Sequence, residues 1–322
     1  MSASWSRAAA AVAALALTGA AAGQTPLGEV HVGTLAGGTV VWELQTIKDH
    51  GFDTANGFQL VIEELAGNPA TQIALQGHEV DAIVTDWIWA ARAQDGGLDL
   101  RLVPFSTAVG AVMVPGDSPA QGLADLTGAR IAVSGSPIDK SWLVLRAFAA
   151  AQGLDLAAGT EQVFAAPPLV LQALASGEVQ AMVNNWNFNA KALAGGAREL
   201  VSVADALVAL DLDPGAPLLV YAIQRERADA GVAPALAAAS QAAKRLLAGD
   251  DAAWDAIRPL MNAADDAEFA ALRDGWRAGI PVEGPVDVAA ASKFFAVLAE
   301  FGGQEVTGGL TAVPDGLFYR GD

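Results

Sequence analysis

ALQGHEVDAIVTDWIWAARAQDGG at residues 74–97 and ALASGEVQAMVNNWNFNAKALAGG at residues 173–196 are two copies of one segment. They align without a gap at an offset of 99, with 11 of 24 positions identical, including Trp87 with Trp186 and Gly96-Gly97 with Gly195-Gly196. The differences gather beside the tryptophan, TDWIW in the first copy and NNWNF in the second. Each copy reads as a short helix, a turn and a β-branched strand running into a second helix.

Working outward, the frame widens. Residues 30–34, 59–63 and 80–85 read as strands, with helices over 40–50 and 69–77 between them. The series repeats as strands over 130–134, 162–165 and 179–184 with helices over 142–152 and 168–175. Trp42 answers Trp142, and Gly51-Phe52-Asp53 answers Gly153-Leu154-Asp155. A β-α-β-α-β series of this kind predicts a mainly parallel sheet with helices on both faces. A period near a hundred residues is a domain duplication, since solenoid repeats are far shorter. The tail does not echo: one more strand over 218–223 precedes Ala-rich helices near 232–248, 251–263, 266–277 and 286–301. The expected fold is therefore α/β, with two similar domains joined by a two-stranded hinge. Domain one takes residues 28–107 with 210–322, and domain two takes residues 110–205. Two crossings between two domains permit closure around a ligand.

Composition narrows the function. Across 322 residues, 53% are hydrophobic, which supports sizeable cores. The net charge of −18 argues against a nucleic-acid partner, because phosphate binding needs clustered Lys and Arg. Residues 1–22 combine Arg7, an apolar run over 8–17 and a small-residue end, Ala20-Ala21-Ala22, the pattern of a secretory signal peptide cleaved after Ala22. The absence of cysteine excludes disulfides, thiolate catalysis, Cys-based metal sites and a lipidated N-terminal cysteine. His31, His50 and His78 lack metal-ligand spacing, so neither a metal nor another cofactor is expected. No triad order, P-loop or dinucleotide fingerprint occurs.

These features together resemble a known family. GARIAVSGSP at 128–137, APPLVLQALASGEVQAMVNNW at 166–186 and ALQGHEVDAIVTDW at 74–87 are similar to the solute-binding proteins of bacterial ABC importers. The similar branch is the NMT1/THI5-like one serving sulfonates, taurine, nitrate and thiamine-precursor pyrimidines, and the resemblance covers residues 28–322. It implies a periplasmic-binding-protein type II fold, a periplasmic location, a small-molecule solute, a membrane permease as partner and no enzymatic chemistry; the protein is expected to be a monomer. An enzyme relative that makes the thiamine pyrimidine would bring a His and a Cys-rich iron motif, which this chain lacks. Two departures stand out: Pro137-Ile138-Asp139-Lys140 lengthens one loop, and Thr85-Asp86-Trp87-Ile88-Trp89 replaces a Gly- and Pro-rich strand end.

Ligands of open parallel sheets sit beyond the carboxyl ends of the strands. That singles out the loops 34–42, 85–89, 134–142 and 184–189, where helix N-termini favour anions. Gly37, Gly38 and Thr39 would admit a sulfonate or carboxylate to backbone amides, or would merely turn and cap a helix. Ser134, Gly135 and Ser136 carry the same two readings. Thr85 and Asp86 in the first copy, and Asn185 and Asn187 in the second, lie beside the tryptophans; Asp86 and Asn185 answer each other through the repeat and are helix-capping types, and Asp86 is also a candidate receptor for an ammonium group. Asp139 is a second such receptor, or else a solvated charge paired with Lys140. Trp87 and Trp186 are the expected cleft aromatics, with Trp42 and Trp142 expected in the core. Trp87 and Trp89 point about 200° apart on a helix, so one of them belongs inside. The preferred solute is an aliphatic sulfonate or taurine-like zwitterion or anion. The alternatives are an aromatic or pyrimidine-like solute, or a sensing role without transport.

Overall fold

The computed structural model describes residues 26–321, so the signal-peptide expectation for residues 1–22 lies outside the described residues. The strands are β1 (Gly28–Leu35), β2 (Phe58–Leu65), β3 (Ala82–Asp86), β4 (Leu100–Ser106) and β5 (Ala111–Val114). They continue as β6 (Arg130–Ser134), β7 (Glu161–Ala165), β8 (Ala181–Asn184), β9 (Arg198–Ser202) and β10 (Leu219–Gln224). The first helices are α1 (Val40–Asp49), the single-turn α2 (Phe52–Ala55), α3 (Asn68–Gln76) and α4 (Trp87–Asp95). Then come α5 (Lys140–Ala151), α6 (Leu156–Gly159), α7 (Pro167–Ala175), α8 (Trp186–Ala194) and α9 (Val203–Ala209). The tail adds α10 (Arg225–Arg227), α11 (Ala233–Gly249), α12 (Asp251–Ile257), α13 (Asp266–Ala278) and α14 (Val288–Thr307).

Two five-stranded sheets carry the same pattern, in the orders β2-β1-β3-β10-β4 and β7-β6-β8-β5-β9. In the first, β1 runs parallel to β2 and β3 while β10 is antiparallel to β3 and β4. In the second, β6 runs parallel to β7 and β8 while β5 is antiparallel to β8 and β9. The chain passes between the sheets twice, from Ser106 to Ala111 and from Ser202 to Leu219. The repeat register survives in three dimensions: α3 and α7, β3 and β8, and α4 and α8 all begin at the same offset of 99. Left-handed His78 (φ 58°) and Gly177 (φ 75°) end the paired helices alike.

The two sheets are not insulated from each other. One continuous hydrophobic cluster includes Ile83, Trp87 and Leu102 beside the first sheet, Ile131, Val133 and Val183 in the second, and Phe295 and Leu298 of α14. Arg146 of α5 donates to the carbonyl of Phe301 at 3.3 Å, tying α14 to the second lobe. Within the first lobe, Glu43 is fully buried and accepts from Tyr221 at 2.8 Å, Ser240 at 2.6 Å and Lys244 at 2.7 Å. A buried carboxylate persists only when paired and hydrogen-bonded in this way. The network fixes α1, and with it the loop ahead of α1, against β10 and α11.

The first crossing is held tightly. An added Cβ on Gly110 would lie 2.1 Å from the carbonyl oxygen of Asn184, so only glycine lets the crossing pass the end of β8. The Ser106 hydroxyl donates to the carbonyl of Gly279 at 3.1 Å and Thr107 N–H to the same oxygen at 2.9 Å, so the end of α13 grips the crossing as well.

Candidate functional site

The four strand-end loops meet across the two sheets in two places. At the first, Asp86 ends β3 and caps α4: one carboxylate oxygen accepts the Trp89 N–H at 2.9 Å. Its other oxygen accepts the Lys140 ammonium at 2.9 Å, and Lys140 opens α5 on the opposite lobe. Both side chains are mostly buried, 18% and 29% exposed, so their attraction is screened less than that of a surface ion pair and offsets the cost of taking both charges out of water. Asp139 caps α5 in the same manner, accepting the Trp142 N–H at 3.0 Å. Burial pushes its carboxyl above the usual range, while the Trp142 N–H and the Lys140 charge pull the other way.

The expectation that Asp139 pairs with Lys140 as a solvated charge is therefore corrected. Lys140 reaches across to Asp86, and Asp139 is a half-buried cap. The two helices meeting here carry their carboxylate caps already, so their N-termini are satisfied.

At the second meeting place the N-termini are not satisfied by side chains. Thr39 and Asn185 hold the cap positions of α1 and α8, and neither side chain accepts a cap hydrogen bond. The capping role expected of these two is corrected accordingly. Asn185 N–H instead donates to the Asn184 side chain at 2.9 Å, leaving the Asn185 amide exposed. The lobes touch here through Trp42 and Trp186, ring centroids 6.1 Å apart and planes at 87°. Gly37 has φ 67°, the left-handed region that favours glycine, and a Cβ on Gly38 would crowd the Leu35 carbonyl at 3.0 Å. Gly37 N–H faces Glu64 at 3.3 Å. The buried hydroxyl of Thr34, one turn earlier, has no hydrogen-bond partner among the described residues.

The remaining expected residues divide by exposure. Gly135 and Ser136 are exposed on the loop before α5, and Asn187 is half-buried in the first turn of α8. Thr85 and Ser134 are buried at the ends of their strands. Trp87 is not a cleft aromatic. It is 2% exposed, with its ring centroid 6.2 Å from Phe294, 6.0 Å from Phe295 and 6.1 Å from Phe318. Its helix starts where the repeat places it, but the tail covers it. Trp42 and Trp142 are buried, as expected.

Reasoning from sequence named Lys140 only as a possible partner of Asp139 and gave the Thr34 hydroxyl no role. The one available signal for Lys140 was its place in the lengthened loop at a helix start, where a cation opposes the dipole. Beside the Asp86–Lys140 contact a cavity of about 20 Å³ touches Trp87, Lys140, Ser141, Asp213 and Phe294, room for about one water. A roomier apolar cavity of about 280 Å³ lies elsewhere, between α11 and the 280–285 turn, and touches none of the four loops. Among the described residues no group of three His, Asp or Glu side chains could hold a metal ion.

Two matched α/β lobes linked by two crossings, with strand-end loops facing each other, define the periplasmic-binding-protein type II architecture. The family model described as NMT1/THI5 like matches residues 44–248, and the chain belongs to that family. The fold is similar to the alkanesulfonate-binding protein SsuA from Xanthomonas axonopodis pv. citri bound to MOPS, at 21% identity and TM-score 0.67, covering 92% of this chain and 100% of that one. It is also similar to the periplasmic aliphatic sulphonate binding protein SsuA from Escherichia coli, at 18% identity and TM-score 0.71, covering 91% and 92%. A cysteine-to-serine mutant of DSZB in complex with biphenyl-2-sulfinic acid shares the fold at 18% identity and TM-score 0.57, covering 89% and 97%. At such identities the likeness concerns the fold. No curated protein matches the chain.

Proposed function

We propose that the chain is the exported solute-binding component of an ABC importer, closing its two lobes on an aliphatic sulfonate. The observation that carries this is the pair of helix N-termini, α1 and α8, that face each other across the lobes without side-chain caps. Backbone N–H groups of the first turns there, on Thr39, Val40 and Asn187, suit an anion that carries no proton of its own. An acidic protein can bind an anion in this way without clustered arginines.

The lobes are residues 28–107 with 210–322, and 110–205. The leader over residues 1–22 takes the protein to the periplasm, where it works as a monomer and delivers solute to a membrane permease. It performs no covalent chemistry. The sulfinate-bound structure of similar fold carries a mutated cysteine, and this chain has none. A flat aromatic or pyrimidine solute is disfavoured, because Trp87 is in the core and Trp186 already meets Trp42 edge to face.

The test is native mass spectrometry of protein purified from the periplasm. Thermal shift with ethanesulfonate, MOPS, taurine, nitrate, amino acids and pyrimidines follows. The reading expects sulfonates to raise the melting temperature; a shift from none of these solutes sinks it.

A further inference from the structure

We infer that Lys140 is the specificity-determining residue of the cleft: its ammonium occupies Asp86 where an amine-bearing solute would bind, and so selects a simple sulfonate over a zwitterion. The inference rests on the sulfonate-binding reading above. Asp86 has one oxygen committed to the Trp89 N–H and one oxygen left for a cation. That second oxygen lies 2.9 Å from Lys140, which comes from the opposite lobe.

The placement of Lys140 is otherwise hard to explain. It stands in the first turn of α5, against the positive end of the helix, where acidic residues are favoured. The neighbouring carboxylate, Asp139, is engaged with the Trp142 N–H. Asp213, on the rim of the same small cavity, is exposed. Asp86 alone offers Lys140 a mostly buried partner. A cation tethered this way competes at an effective concentration on the order of millimolar. An incoming amine has to displace that ammonium to reach the oxygen. The sulfonate end is unaffected, because the uncapped helices α1 and α8 meet at the other contact, beside Trp42 and Trp186.

Ethanesulfonate and taurine differ by one amino group, so calorimetric titration with the two reads the selection directly. The full mature protein should bind ethanesulfonate more tightly than taurine. Lys140→Met should move the ratio of the two affinities toward taurine by about tenfold, the worth of one charge-assisted hydrogen bond. Lys140→Arg should keep the original preference. Adding Asp86→Asn to Lys140→Met should abolish the gain, since the amide still accepts from Trp89 N–H but no longer holds a charge. Circular dichroism confirms folding, and Asp86→Asn alone serves if Lys140→Met does not fold: taurine should then gain nothing, as it has no carboxylate to reach. A wild-type preference for taurine overturns the inference, as does an unchanged ratio in a folded Lys140→Met or a taurine gain in Asp86→Asn. Failure of the wild type to bind either sulfonate is a different result, and it removes the sulfonate reading itself.

Discussion

Trp87 and Trp186 hold the same position in the two copies of the repeat, each opening the helix after its strand, yet one is sealed and the other half-open. Trp87 lies among Phe294, Phe295 and Phe318, whereas Trp186 meets Trp42 of the opposite lobe at 6.1 Å. Their substitutions should part accordingly. Trp87→Ala should cost about 3–5 kcal/mol of stability in urea denaturation, the usual loss for a buried aromatic. Trp186→Ala should cost less, because its ring is only half-buried: the area it covers plus about 0.5–1.5 kcal/mol for the edge-to-face pair. Equal losses would show that Trp186 is as much core as Trp87.

Gly110 offers a test of the crossing. A Cβ there would collide with the Asn184 carbonyl, which is backbone and cannot swing aside. Gly110→Ala should lower the thermal midpoint by several degrees, at a cost of about 1–3 kcal/mol. An unchanged midpoint would mean that the crossing is slack enough to shift.

Asp139 should leave a mark on the pH profile. Its carboxyl is raised chiefly by burial, so its folded value lies above its unfolded one. A raised carboxyl contributes stability that is full below the unfolded value and is lost as pH climbs through the folded one. Stability from this group should therefore fall as pH rises from its ordinary value of 3.8. Asp139→Asn keeps an acceptor for Trp142 N–H and should flatten that decline in melting temperature against pH. A profile parallel to the wild type would clear Asp139 of the effect.

The Glu43 network predicts strong non-additivity. Glu43→Gln leaves the ammonium of Lys244 buried without its counter-charge and should cost about 3–5 kcal/mol. The double variant Glu43→Gln with Lys244→Met should recover much of that loss in chemical denaturation. Simple addition of the two single losses would place the pair's worth in packing alone.

Most of the architecture was legible because its signals are local. Strand and helix alternate within a few residues, and the repeat doubles every observation. The strands that escaped notice had local reasons to do so. β4 contains Pro104, which argues against a central strand, and it lies at the edge of its sheet where proline is tolerated. β5 is only four residues long, and β9, Arg198–Ser202, with Arg198 and Glu199 in it, shows no clean alternation. The site was less legible because its decisive contacts are long-range. Nothing near Trp87 in sequence foretells the phenylalanines of the tail. Nothing in the loop before α5 names Asp86 as the partner of Lys140, 54 residues earlier.

The strand order β2-β1-β3-β10-β4 also dictates a sequence of assembly. The second sheet is written in one uninterrupted stretch, β5 to β9, and can form from chain already present. The first sheet cannot: β4 pairs with β10, so β3 and β4 stay apart until residues 219–224 arrive between them. Even then Trp87 waits for Phe294 and Phe318 near the chain's end. The lobe begun first is finished last, with open strand edges in the interval, where a growing chain is most prone to mispair. Until the tail arrives, that half-built sheet depends on being kept apart from other chains.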